Sequence, residues 1–189
     1  MKEAHGRKLL WLNPQALATG LLSSNQCLVT CFYCTARVRN DPPAEARQRT
    51  FLGAVGASID PSITRIVYGR FQEKRRKCFA CKNVYTDYEE KETDVSLAAL
   101  LVEAAARQTY DVAFIMSGDG DLGPAIEAAR RLYPAGRIVA AFPPKRVSDR
   151  LRKLANSHIT IGEAKLRSAQ MPQHVTSATG TTYTRPPSW

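Results

Sequence analysis

The feature that most constrains the fold is a regular alternation of helix-like and strand-like apolar patterns between Thr93 and Ile161. Val95, Ala98, Leu101, Val102 and Ala105 recur at helical spacing, which predicts a helix running to Arg107. Val112 to Met116 is a short continuous apolar run, the pattern of a strand buried on both faces. Leu122 to Leu132 returns to helix, Arg137 to Phe142 reads as a strand, Ser148 to Leu154 as a helix, and His158 to Ile161 as a last strand. Such alternation predicts an α/β fold with a mostly parallel sheet, helices on both faces and a ligand crevice beyond the carboxyl ends of the strands. Asp119 and Asp121 fall at one of those ends.

The first half of the chain is less regular. Asn13-Pro14 reads as a cap followed by proline at the first helical position, starting a short helix through Leu17 to Leu22. Gln26 to Val38 looks extended, Asp41-Pro42-Pro43 opens a helix over about 44–55, and Ile63 to Tyr68 is a β-branched strand closed by Gly69. Arg70 to Glu92 shows no sustained periodicity and reads as a cysteine-bearing excursion from the core. After Ala169 the chain turns rich in Gln, Pro, Thr and Ser, which predicts a loosely packed tail. The expected organisation is therefore one domain over 1–168, with an insertion at about 70–92, and a tail over 169–189.

Composition narrows the function. The 189 residues suffice for one domain with a real core, and no apolar run is long enough to span a bilayer. Met1 to Gly6 opens no signal peptide, so the cytoplasm is the expected compartment. Five cysteines in a chain of this size, without an export signal, argue for reduced thiols or a metal knuckle over disulfides. Neither a phosphate-binding glycine loop nor a dinucleotide fingerprint is present, which argues against a nucleotide cofactor. The formal charge is +10, with one basic cluster at Lys74 to Lys77 and another formed by Lys145, Arg146, Arg150, Arg152 and Lys153. Either cluster alone is equally a solvated surface, but two of them flanking an acidic segment point to RNA or DNA.

The chemistry-bearing residues are acids. Ser117-Gly118-Asp119-Gly120-Asp121 sets two carboxylates two residues apart on a glycine-freed backbone before a helix start. Asp94 opens the preceding helix, and in a parallel α/β fold helix starts share a rim with strand carboxyl ends. Three carboxylates on that rim suit Mg²⁺ or Mn²⁺ and phosphodiester chemistry. From spacing alone, Asp94 is equally a helix cap and the Ser117 to Asp121 segment a tight turn.

Lys91-Glu92-Thr93-Asp94-Val95, with Tyr110-Asp111 and Ser117 to Leu122 about twenty residues later, resembles the signature of NYN domain proteins, relatives of the PIN-domain nucleases. The resemblance extends through Thr35-Ala36-Arg37, Phe142-Pro143-Pro144 with Arg146, and a closing Gln170-Met171-Pro172 and Arg185 to Trp189. It implies a Rossmann-like, three-layer PIN fold and metal-dependent cleavage of RNA, with Asp94, Asp119 and Asp121 as metal ligands and Ser117 shaping their loop. Arg37, Lys91 and Arg146, which lie in family-like segments near strand ends or the acids, are the expected phosphate contacts; ordinary surface ion pairing is the alternative for each.

The sequence departs from the family pattern at Gly120 and Gly123, where small polar and apolar residues are usual. It also lacks an initial apolar strand ending in an Asp-Gly-Phe-Asn-like segment, which carries a further metal-binding aspartate. Met1 to Lys8 resembles the stretch immediately after that segment, so the expectation is either an internal start or a chain that does without the strand. A missing central strand would leave an unpaired sheet edge, and a poorly soluble or inactive chain is the corresponding expectation.

Cys78 and Cys81 have zinc-knuckle spacing, yet a structural zinc needs four ligands. Cys31 and Cys34 are the only other such pair, but they lie in an expected strand, where residues three apart face opposite ways. With what the family resemblance implies, these features read as a metal-dependent ribonuclease. Two rivals are an RNA-binding relative with an impaired metal site and a scaffold whose insertion or tail docks a protein partner.

Overall fold

The computed structural model describes residues 9–187 and 189; the Met1 to Lys8 segment lies outside the described residues. Local signals set most of the element starts. Asn13 caps α1 (Pro14–Leu21) by accepting from the Ala16 amide at 3.0 Å, and its amide group donates to the Ser58 carbonyl at 3.1 Å. Asp41 caps α2 (Pro42–Ser58) in the same way through the Ala44 amide, and Ser148 caps α5 (Asp149–Leu154) through Leu151. Between and after these lie β1 (Cys31–Ala36), β2 (Thr64–Lys77), β3 (Val84–Lys91), α3 (Thr93–Ala106) and β4 (Val112–Ile115). The chain continues through α4 (Gly123–Leu132), β5 (Arg137–Phe142), β6 (Ser157–Thr160), α6 (Glu163–Ser168), β7 (His174–Thr176) and β8 (Thr182–Thr184).

The α/β class is as expected, but the sheet is mixed. β4, β5 and β6 form a parallel sheet in that order, and β1 pairs parallel with β2, while β2 pairs antiparallel with β3. The parallel part follows from burial. Ile138 to Phe142 of β5 are all buried, and Leu101, Ala105, Ile126, Ala129 and Leu151 from α3, α4 and α5 join that core. Two-sided burial is what a continuous apolar strand requires.

Two sequence expectations fail for physical reasons. The strand expected to close at Gly69 runs on to Lys77 and folds back as β3, so residues 70–91 form a long two-stranded ribbon rather than an irregular excursion. Both of its faces are largely solvated, so charges occur on each and the usual alternation is erased. The tail, expected to be loose, is docked. Met171 and Val175 are buried, β7 and β8 form a hairpin beside α2, and Trp189 reaches back to the core. Trp11, fully buried, donates its indole N–H to the Pro172 carbonyl at 2.7 Å and packs against Phe51 and Trp189 at centroid distances of 6.2 and 6.4 Å. A few large side chains spaced through polar sequence fasten the segment, which is why composition misread it.

Among the described residues, β1 pairs only with β2, and β4 only with β5. Both strands line a groove of about 400 Å³ that is also walled by α1 and α3 through Ala18, Leu97, Leu101 and Ala104. Each strand therefore keeps one backbone edge without a partner strand among those residues, although Val112 to Ile115 has the uninterrupted apolar sequence of a strand paired on both sides.

Two stability measurements probe this packing. Trp11→Ala should lower the unfolding free energy by about 3–5 kcal/mol, and Trp189→Ala should lower it less, as read from urea midpoints; no effect at Trp189 would contradict the docked tail. In hydrogen exchange, the β4 amides should exchange faster than those of β5. Equal protection would mean that the β4 edge is paired in solution.

Candidate metal and nucleic-acid site

The β4 chain emerges from the core at Ile115 and turns through Ser117 to Asp121 before a 3-10 turn, Gly120–Leu122, leads into α4. Short bonds hold this loop. The Ser117 hydroxyl accepts from the Asp119 amide at 3.1 Å, and Asp119 Oδ1 accepts from the Asp121 amide at 2.9 Å. Ser117 thus shapes the loop without needing to reach a substrate. Asp119 and Asp121 are both exposed.

Asp94 arrives from a different element. The cap of α3 is Glu92, held in the left-handed region at φ 76°, and Asp94 lies in the first turn behind it. A helix N-terminus ordinarily stabilises a carboxylate there. Instead the Asp94 carboxyl is pushed above its usual range, first by burial and then by the charges of Asp119, Glu90 and Asp121. The acids from α3, β3 and the β4–α4 loop therefore share one electrostatic field.

Glu90 is the acid that sequence reasoning missed. It stands four residues before Asp94, and the Thr93 hydroxyl donates to its Oε1 at 2.6 Å. Its signal was hidden because β3 was not recognised as a strand. Cys34 of β1 borders the same field: burial, and then the charge of Asp94, push its thiol up.

Among the described residues, no group of three or more His, Cys, Asp or Glu side chains is gathered closely enough to enclose a metal ion. The acids share a rim and a field without forming a closed cage. Their chemistry still fits a hard cation such as Mg²⁺, which uses one or two carboxylates and completes its shell with water and substrate phosphate. Zinc is a different matter. Cys34 is paired with Val67, and Cys78 lies eleven residues further along, beyond the end of β2. At about 3.3 Å per residue the two cysteine pairs are roughly 35 Å of extended chain apart, so the four-cysteine set does not assemble. Cys78 and Cys81 meet at the ribbon tip, where hydrogen bonds from Cys81 and Ala80 lower the Cys78 thiol.

The three expected phosphate contacts separate. Arg146 stands beside the acid loop: a Cβ at Gly118 would lie 2.7 Å from the Arg146 carbonyl oxygen. Arg37 is exposed just past β1, with its guanidinium carbon 4.8 Å from the Tyr68 ring centroid. Lys91 is instead paired with Glu89 at 3.0 Å, a carboxylate that also holds Lys74 and Arg76. It neutralises its own strand. Arg150 takes a place that was not foreseen. A Cβ at Gly123 would come within 2.5 Å of its Nε, so the glycine departure makes room for an arginine across the acid loop.

The arrangement presents solvent-accessible acids flanked by Arg146 and Arg150, the electrostatic pattern of a site for cations and phosphates. No helix among the described residues is long and apolar enough to cross a membrane.

No curated protein matches the chain. Among solved structures, a protein of unknown function from Vibrio parahaemolyticus superposes with a TM-score of 0.51 at 17% identity, covering 84% of this chain and 85% of that one. That likeness is one of fold. The family model of the NYN domain matches residues 17–162, from α1 to just past the end of β6 and through every acid named above. The chain belongs to the NYN domain family, a PIN-like nuclease family.

Proposed function

We propose that the protein is a metal-dependent ribonuclease that hydrolyses phosphodiester bonds at the Asp94, Asp119 and Asp121 rim. What supports this reading is that the charges of Asp119, Glu90 and Asp121, from separate elements, reach Asp94 within a chain of the NYN family. A carboxylate such as Asp94, whose charge is opposed by burial and by its acidic neighbours, is poorly placed for stability and well placed for attracting a cation.

Asp94, Asp119 and Asp121 would hold Mg²⁺ or Mn²⁺, with Glu90 close enough to contribute to the same field. When bound, such a cation supplies Lewis acidity to the phosphodiester and makes water a competent nucleophile at neutral pH. Ser117 fixes the loop that carries Asp119, and Arg146 and Arg150 offer charge to the flanking phosphates. Water adds to phosphorus, the bond to one bridging oxygen breaks, and the departing oxygen takes up a proton. The products carry a phosphate on one fragment and a hydroxyl on the other. The second reading, RNA binding without cleavage, draws on the open arrangement of the acids.

Water as nucleophile leaves the ribose 2′-hydroxyl idle. A 2′-deoxy substitution at the cleaved position should leave cleavage intact, and the products should carry no 2′,3′-cyclic phosphate. Cyclic ends would contradict the mechanism.

The raised Asp94 carboxyl also sets a stability trend. Because the fold disfavours its charged form, the cost is absent below the ordinary carboxylate range and complete once pH has risen past the raised value. Asp94→Asn should therefore melt higher than wild type at neutral pH, with the difference vanishing in acid, while cleavage is lost. A variant that melts lower at neutral pH and still cleaves would sink the assignment.

A further inference from the structure

A second concavity, of about 500 Å³, opens between the end of β1, the outer face of α2, Tyr68 of β2 and Tyr183 of β8. Arg37, Arg39 and Arg49 line it against the single carboxylate of Glu45. Among the described residues none of these three guanidinium groups is in an ion pair, whereas Lys74, Arg76, Lys91, Arg107, Arg152 and Arg167 all are. Three like charges left facing one cavity repel one another, and an anion relieves that repulsion.

The cavity is built, not incidental. The Gln48 side chain accepts from the Val38 amide at 2.7 Å and donates to the Ala36 carbonyl at 2.7 Å, which fixes the chain on either side of Arg37 and just before Arg39. Tyr183 is seated directly on Gly53, where a Cβ would lie 2.2 Å from its ring. The docked tail thereby supplies a rigid aromatic wall. Arg37 stacks over the Tyr68 ring, and Tyr68 remains 43% exposed. Planar guanidinium groups match phosphate oxygens in pairs, and a stacked arginine–tyrosine plane accepts a nucleobase.

We propose that this cavity binds one nucleotide of a single-stranded RNA, its phosphate on Arg37, Arg39 and Arg49 and its base on the Arg37–Tyr68 stack. The assignment rests on the ribonuclease reading for the direction of the strand. Ala36, just before Arg37, pairs with Gly69, and a Cβ at Gly69 would lie 2.7 Å from the hydroxyl of Thr93, the residue before Asp94, so the carboxyl end of β1 lies beside the start of α3. A strand seated in the cavity thus passes along the rim that carries the acids. The cavity serves as an anchor that sets which phosphodiester meets them.

The test is binding of fluorescein-labelled single-stranded RNA to the full chain in chelator, by anisotropy, so that neither metal nor cleavage enters the readout. Arg49→Ala, a helical position where alanine is well tolerated, should weaken binding and lower the salt slope by about 0.7, the contribution of one phosphate on a single strand. Tyr68→Ala should weaken binding by about tenfold and Tyr68→Phe should restore it, since stacking needs the ring and not the hydroxyl. Arg107→Ala, at the far end of α3, should leave binding unchanged. Unaltered RNA affinity in both Arg49→Ala and Tyr68→Ala would overturn the proposal, as would adenosine monophosphate binding as tightly as the RNA, which would assign the cavity to a free nucleotide. Loss of cleavage with pocket-dependent binding retained would instead remove the ribonuclease reading and leave this one standing.

Discussion

The burial of β5 is the constraint on which the rest depends. A strand whose residues 138–142 are all buried must have neighbours on both edges and helices on both faces. Parallel pairing with β4 and β6 follows, and so do the crossovers through α4 and α5. Once β4 runs beside β5 in the same direction, its carboxyl end opens on the rim where α3 starts, and Asp119 and Asp121 arrive beside Asp94. The acid rim is therefore a consequence of core packing, and side chains far from it set its position.

Cooperation between core and rim has a cost in stability that the fold tolerates elsewhere. The acids repel one another, the three cavity arginines repel one another, and β1 and β4 each keep an edge without a partner strand among the described residues, along the apolar groove. Against these stand the apolar cluster around β5 and the aromatic cluster of Trp11, Phe51 and Trp189. Strain collects where ligands would relieve it, as is usual for sites kept ready for charged partners.

What could be read in the sequence was what local chemistry decides. Asn13, Asp41 and Ser148 announced their helices because a cap acts within three residues, and Val112 to Phe142 gave its strands because burial leaves an unbroken apolar pattern. The three aspartates were singled out through their spacing and family resemblance. The ribbon over 70–91 was not, since a solvated strand pair needs no alternation, and Glu90 was lost with it. The docking of the tail, the fit of Arg150 over Gly123 and the seating of Tyr183 on Gly53 depend on contacts between segments distant in the chain, which no local pattern encodes. Lys91 took the alternative weighed for it, a surface ion pair, because residues two apart in a strand share a face and Glu89 stands beside it.

The central claim is that the acid rim does chemistry on RNA. Its most direct test is cleavage of a labelled single-stranded RNA by the full chain with Mn²⁺, run beside Asp119→Asn and a chelator control. The wild-type chain should cleave, and cleavage should be lost in both controls while each protein stays folded. Cleavage that persists in Asp119→Asn, or its absence from folded wild-type protein that binds the RNA, would contradict the claim.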